Sequence, residues 1–233
     1  MATLAEMPKA VVLAQAAEQA ERWDEMAEFM KERVESGGPL SAEERDLLSA
    51  AYKNSLSGRR YALRVAASVE HAQTDATLRN HAEGYRSKLE AELSQVCDKA
   101  LAVLETLLSG HVDRGEAKAF YFKMQGDYYR YKAEFAPKEK VVEVAESARE
   151  AYSAGISEAN CHLLPTHPVR LGIALNFSVF QFECLQDRAG AIQTARAALD
   201  EAKAEAATEE AHQDAAITLQ LLSENLDLWL SAQ

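Results

Sequence analysis

Cations are scarce enough in this chain that their register is informative. Against 37 aspartates and glutamates stand 25 lysines and arginines, a net charge of −12, and some of those few fall in pairs at helical spacing. Lys53 and Arg60 are seven positions apart; seven residues at about 100° each end about 20° short of two full turns, so both heads lie on one helix face. Lys123 and Arg130 repeat the interval, and Tyr131 follows directly in Gly126-Asp-Tyr-Tyr-Arg-Tyr131. A planar guanidinium fork beside a phenol hydroxyl suits the oxygens of a phosphate dianion. Ordinary surface ion pairs, worth ~0–1 kcal/mol, account for the same cations, and on spacing alone that is the stronger explanation.

A second ingredient is an apolar face edged with carboxamides. Leu175 and Val179 are one turn apart, Asn176 and Glu183 share a neighbouring stripe, and Ile217, Leu221 and Leu228 line up beside Asn225. Asparagine within a helix costs several tenths of a kcal/mol against alanine. A carboxamide both donates and accepts, so it satisfies an extended ligand backbone that has no strand partner. By periodicity alone, a core stripe with a polar edge explains the pattern better.

The catalytic inventory is thin. Glu209-Glu-Ala-His212 is a single Glu-x-x-His, where a di-iron bundle needs two and further inward carboxylates. Histidines 71, 81, 111, 162, 167 and 212 are scattered, and none pairs with a second ligand at zinc spacing. No glycine-rich phosphate loop and no Gly-x-Ser-x-Gly elbow is present. The expectation is a protein that is not an enzyme and carries neither cofactor nor metal.

The elements that must position these side chains are helices. The 5 prolines and 10 glycines cluster at Gly37-Gly38-Pro39, Ser109 to Gly115, Pro137, Pro165 to Pro168 and Asp187 to Gly190. Between them, apolar residues recur at helical spacing, as in Val96, Leu101, Leu104 and Leu108, and no window sustains strand alternation. The reading is all-α with about nine helices. Residues 41–71 and 76–108 form two unusually long ones, and Ser41-Ala-Glu-Glu44 and Thr208-Glu-Glu mark helix starts. The 233 residues suffice for one large domain or two small ones.

Composition narrows the partners. A charge of −12 offers no basic stripe for nucleic acid. No stretch reaches the ~18 apolar residues of a membrane span, and Glu6, Glu18 and Glu21 flank the apolar Ala10 to Ala17 in the wrong way for a secretory signal. Cys97, Cys161 and Cys184, odd in number and without Cys-x-x-Cys spacing, read as reduced thiols of a cytoplasmic protein, with the nucleus as a second location.

Four longer segments carry a resemblance. Arg45-Asp-Leu-Leu-Ser-Ala-Ala-Tyr-Lys-Asn54 with Arg59-Arg60, Phe120-Tyr-Phe-Lys-Met-Gln-Gly-Asp-Tyr-Tyr-Arg-Tyr131, Pro165-Thr-His-Pro-Val-Arg-Leu-Gly-Ile-Ala-Leu-Asn-Phe-Ser-Val-Phe180 and Leu219-Gln-Leu-Leu-Ser-Glu-Asn-Leu-Asp-Leu-Trp229 resemble the 14-3-3 family. The likeness runs in one order from about Leu13 to Trp229. It implies nine antiparallel helices in a single domain spanning 1–233, with N-terminal helices and dimer contacts in about 1–72 and most of the groove wall in about 73–233. It further implies a cup-shaped protomer that forms homodimers or heterodimers through its first four helices. The implied activity is adaptor binding of phosphoserine or phosphothreonine clients in an amphipathic groove. Carried over by motif, the phosphate falls to Lys53, Arg60, Arg130 and Tyr131, with Lys123 nearby. Asn176 and Asn225 hold the peptide backbone, Leu175, Val179, Leu221 and Leu228 form the apolar wall, and Glu183 and Trp229 meet flanking positions. The alternative class is a helical-repeat scaffold for unphosphorylated partners.

Departures from the family pattern carry expectations of their own. Thr218 stands where isoleucine is usual, Phe182 where tyrosine is common and Ser223 where arginine is usual, implying an altered preference around the phosphosite. Ala62 replaces a serine whose phosphorylation controls dimerisation in some members. At the implied dimer surface, Arg22 with Glu92 and Glu25 with Lys88 match pairs between protomers, and Val69 and Tyr85 match interface positions. Ala16 and Ala66 stand where larger aliphatics are frequent, so a weaker dimer is expected at ~0.8 kcal/mol per missing methylene. The sequence stops four residues past Trp229, short of the family's acidic tail, and without such a competitor the groove would bind phosphopeptides more tightly.

Overall fold

A computed structural model describes residues 8–110, 112–205 and 209–231. Among these the chain is all-α: α1 Lys9–Gln19, α2 Trp23–Glu35, α3 Ala42–Ala72, α4 Ala76–Ser109, α5 Glu116–Phe135, α6 Lys138–His162, α7 Pro168–Glu183, α8 Arg188–Ala204 and α9 Glu209–Ser231. The long helices expected at 41–71 and 76–108 are α3 and α4, at 31 and 34 residues. Thr208, His111 and the side chains of Glu209 and His212 lie outside the described residues.

Two compact units divide the chain between residues 111 and 112, so α4 groups with the first three helices. In the first unit, α1 to α4 close over Val11, Ala14, Met26, Met30, Leu48, Tyr52, Leu56, Leu93 and Leu104. The turn from α2 to α3 shows how the sequence enforces this. Gly37 and Gly38 take φ of 83° and 80°, a left-handed conformation that costs glycine nothing. Ser41 then opens α3 with a complete capping box: Glu44 N donates to its hydroxyl at 3.1 Å and its own N donates to the Glu44 carboxylate at 2.8 Å. Arg33 ties the turn down from α2, donating to Glu44 at 2.5 and 3.2 Å and to the carbonyls of Gly37 and Pro39 at 2.9 and 3.0 Å. A second brace joins the same helices, Asp24 accepting from Ser55 Oγ at 2.5 Å and Arg59 at 2.9 Å.

In the second unit the helices approach closely because the contact residues are small. Ala119, Ala145, Ala148 and Ala159 line the α5–α6 core with Tyr152, Ile173 and Phe180, while Ala191, Ala195, Ala202 and Ala215 let α8 and α9 close on Leu171, Leu222 and Trp229. α5 begins at Gly115, φ 97°, whose N–H donates to Glu158 on α6 at 2.7 Å. His167 Nδ1 accepts from Val169 N at 3.2 Å, and Pro168 supplies the preset first position of α7. Arg188, at the start of α8, donates to the terminal carbonyls of α9 at Trp229, 2.8 Å, and Leu230, 3.3 Å. Two carbonyls of the last turn of α9 are thereby satisfied, and Ser231 Oγ donates to a third, that of Leu228, at 3.0 Å.

Both partners of the Arg33–Glu44 pair are under 10% exposed, and truncating one leaves the other charge buried alone. Arg33→Ala is expected to destabilise the protein by about 3 kcal/mol in chemical denaturation, and Arg33→Met with Glu44→Met together by much less. Equal losses in the single and double variants would show that the pair is not the cause.

Candidate functional site

α5 presents one face that carries Lys123, Asp127 and Arg130, at helical intervals of four and three. Asp127 is buried and is the hub. Its Oδ2 accepts from Lys123 Nζ at 3.0 Å, and its Oδ1 accepts from the Tyr152 hydroxyl of α6 at 2.6 Å and from Asn176 Nδ2 of α7 at 2.7 Å. Arg130 is itself buried; its Nε lies 3.4 Å from the Tyr152 hydroxyl, its Nη1 is 3.6 Å from Glu134, and its guanidinium stands 4.5 Å from the Tyr131 ring centroid. Two cations and the buried carboxylate of Asp127 thus stand together, with Glu134 at the exposed edge. The surface ion-pair explanation of Lys123 and Arg130 holds only in part: each has a carboxylate at i+4, but Arg130 is buried and Lys123 half-buried.

Burial opposes the charge of Asp127, yet Lys123 and Arg130, with the hydrogen bonds from Tyr152 and Lys123, outweigh it and hold the carboxyl below the usual range. Burial likewise works against the Arg130 charge, and the surrounding Tyr152, Asp127 and Tyr131 outweigh that, raising it further. Burial and Asp127 push the Tyr152 hydroxyl well above its ordinary value. At neutral pH Asp127 is therefore an anion, Arg130 a cation and Tyr152 a neutral phenol.

Packing holds the cluster in place. The Tyr152 ring packs in a three-ring cluster with Phe177 and Phe180, at 5.6 and 5.7 Å, and against Gly126 of α5. A Cβ at Gly126 would stand 2.7 Å from that ring, closer than any real contact. Gly126 is therefore what allows the α6 phenol to reach Asp127. Neither Asp127 nor Tyr152 stood out by spacing or motif; the signal available was an aspartate one turn from both Lys123 and Arg130.

Beside the cluster, α7 places Leu175, Asn176 and Val179 half-buried, with Glu183 exposed at its end. α9 presents a strongly apolar surface, Ile217 being 73%, Leu221 43% and Leu228 61% exposed, with Asn225 half-buried among them. Trp229 is placed differently from a residue that meets a peptide: it is 3% exposed, within the core, and stacked on Phe182 with centroids 5.1 Å apart. Phe182 lacks a hydroxyl that would need a partner in this stack. Thr218 is half-buried and Ser223 exposed on α9.

In the first unit, Lys53 is exposed and Arg60 half-buried on α3. Their neighbour Arg59 is committed to Asp24 and Ser55. Of the positions assigned to a dimer surface, Val69 and Tyr85 are 48% and 55% exposed, Ala16 is exposed, Ala62 half-buried, and Ala66 is buried within its own chain. Arg22 pairs with Glu25, and Lys88 stands 3.9 Å from Glu92. The small side chain of Ala66 therefore bears on the protomer's own packing.

The fold and site define an all-α protein whose second unit sets a buried cation cluster beside an apolar helical wall. The 14-3-3 protein family profile matches residues 13–230. A 14-3-3-like protein of Helianthus annuus is 46% identical over 95% of this chain and 88% of its own length. The 14-3-3 protein homolog of Candida albicans is 47% identical over 94% and 85%, and 14-3-3 protein 3 of Entamoeba histolytica 44% over 95% and 94%. The chain belongs to the 14-3-3 family. Membership supports, in general terms, an adaptor that binds phosphopeptides and client proteins and dimerises. Among the described residues no helix is long and apolar enough to cross a membrane.

Gly126→Ala tests the packing that supports the cluster. The gain in helix propensity, about 1 kcal/mol, is set against overpacking of about 1–3 kcal/mol. The expected result is a lower thermal midpoint together with weakened phosphopeptide binding. An unchanged or raised midpoint would show that Tyr152 yields without cost.

Proposed function

We propose that this protein is a dimeric adaptor that binds phosphoserine and phosphothreonine segments of client proteins in extended form, without catalysis, and works in the cytoplasm. The observation that carries the reading is the second unit's enclosed cluster, where Lys123 and Arg130 share the single buried carboxylate of Asp127 beside Asn176 and an exposed apolar wall. Such a cluster favours a further anion, and the wall accepts varied flanking side chains. Arginine-cluster recognition of phosphorylated motifs is a general mode of which 14-3-3 proteins are themselves an example. On this reading Lys53, Arg60, Arg130 and Tyr131 bind the phosphate with Lys123 nearby, Asn176 and Asn225 the peptide backbone, and Leu175, Val179, Leu221 and Leu228 the flanking residues, with Glu183 and the buried Trp229 at flanking positions.

Fluorescence polarisation with an arginine-x-x-phosphoserine-x-proline peptide and its unphosphorylated twin tests this. The phosphorylated peptide is expected to bind at least about a hundredfold more tightly, and Lys53→Glu or Arg60→Ala to remove most of that difference, as loss of charge-assisted bonds worth about 1.5–3 kcal/mol each requires. Equal binding of both peptides would favour the helical scaffold for unphosphorylated partners.

The reading also assigns dimerisation to α1–α4, where Val12, Val65, Val69 and Tyr85 leave large apolar surface exposed. Sedimentation velocity at micromolar protein is expected to show a dimer, with homodimers formed in the absence of other family members. Val69→Asp, which sets a charge on that surface, is expected to shift it to monomer. A dimer indifferent to this change would place the contact elsewhere.

A further inference from the structure

We propose that Asp127 is a positioning residue: its buried carboxylate locks the Asn176 side-chain amide in one orientation and so fixes which way round a ligand's peptide unit lies in the site. The inference rests on the phosphopeptide reading above and adds to it a determinant of chain direction.

An ionised carboxylate only accepts hydrogen bonds, and all three of its neighbours here are donors. Asn176 Nδ2 and the Tyr152 hydroxyl share Oδ1 at 2.7 and 2.6 Å, and Lys123 Nζ takes Oδ2 at 3.0 Å. Rotating the Asn176 amide by half a turn would set its oxygen against the Asp127 oxygen with no proton between them. The amide therefore has one permitted state, with Nδ2 on Asp127 and Oδ1 turned away as an acceptor.

The opposite polarity is supplied by Lys123, which has donors only and is anchored by the other oxygen of the same carboxylate. Its stem runs along α7 at Gly172, where a Cβ would meet Lys123 Cδ at 3.6 Å. Gly172 and Asn176 are one turn apart, so the donor and the acceptor serve the same face of α7. A fixed donor and a fixed acceptor on one face complement a peptide unit with its carbonyl towards Lys123 and its N–H towards Asn176, and oppose the reverse. Arg130 and Tyr131, one turn along α5 from Asp127, set the phosphate end of the same register.

The test uses full-length protein and the arginine-x-x-phosphoserine-x-proline peptide, with each backbone amide around the phosphoserine replaced in turn by an ester, which removes one N–H. In the wild type one ester is expected to cost about tenfold in affinity, the consequence of leaving an acceptor unmatched. In Asp127→Asn, whose oxygen stays on Lys123 and whose NH2 then faces Asn176 and draws its oxygen inward, that penalty is expected to fall to about threefold or less. A merely structural role would weaken amide and ester peptides by the same factor, and an unchanged penalty overturns the proposal. Wild-type protein that does not distinguish the phosphorylated peptide from its unphosphorylated twin removes the functional reading and this inference together, before any ester is compared. Should Asp127→Asn fail to fold, the wild type still decides: NMR of the Asn176 side-chain amide, assigned with Asn176→Ala, is expected to show one proton protected from solvent exchange in both the free and the peptide-bound protein. Exchange as fast as that of an exposed asparagine overturns the proposal.

Discussion

A carboxylate enclosed between two cations is the interaction on which the candidate site depends. Asp127 unpaired would be too costly to bury, and so would Lys123 or Arg130. Together with Tyr152 and Asn176 they satisfy one another, and the set draws on α5, α6 and α7. The same bonds that make burial tolerable therefore hold three helices in register. Lys123 and Arg130 stand together there, with Asp127 buried between them and Glu134 at the more exposed edge, in a chain whose overall charge is −12.

That arrangement places demands on residues that touch no ligand. Gly126 is required because Tyr152 occupies the space where its side chain would be, and Phe177 and Phe180 pack against the same ring. The alanines of α5 and α6 allow the close approach that brings a phenol from one helix to a carboxylate on the other. Packing and electrostatics are thus one constraint: a larger residue at Gly126 is a change to the polar network as much as to the core.

Helix positions and type were legible because they are written in local signals. Breakers at Gly37 to Pro39 and Pro165 to Pro168, and the capping box at Ser41, each act within a few residues. The seven-residue interval of Lys123 and Arg130 was legible for the same reason. What spacing could not deliver was Asp127 as hub, since its partners Tyr152 and Asn176 lie 25 and 49 positions away. Nor could it separate core from surface on α9, where Trp229 belongs to the core and Leu228 to the face. The motif resemblance grouped both as groove residues, and only packing against Phe182 distinguishes them.

The apolar wall and the cation cluster also explain each other's composition. Exposed leucines and isoleucine on α9 are costly in water, and Leu222 and Trp229 anchor the opposite face of that helix in the core, so the exposed face cannot turn inward. Arg188 ties down the end of the helix by donating to the carbonyls of Trp229 and Leu230. Between residues 215 and 231, α9 carries Glu224 and Asp227 and no lysine or arginine. With Ser223 in the middle of that run, α9 holds no cation to compete with α5 for an anion. The chain therefore separates the two tasks, charge on α5 and apolar surface on α9, with α7 contributing Asn176 to the first and Val179 to the second.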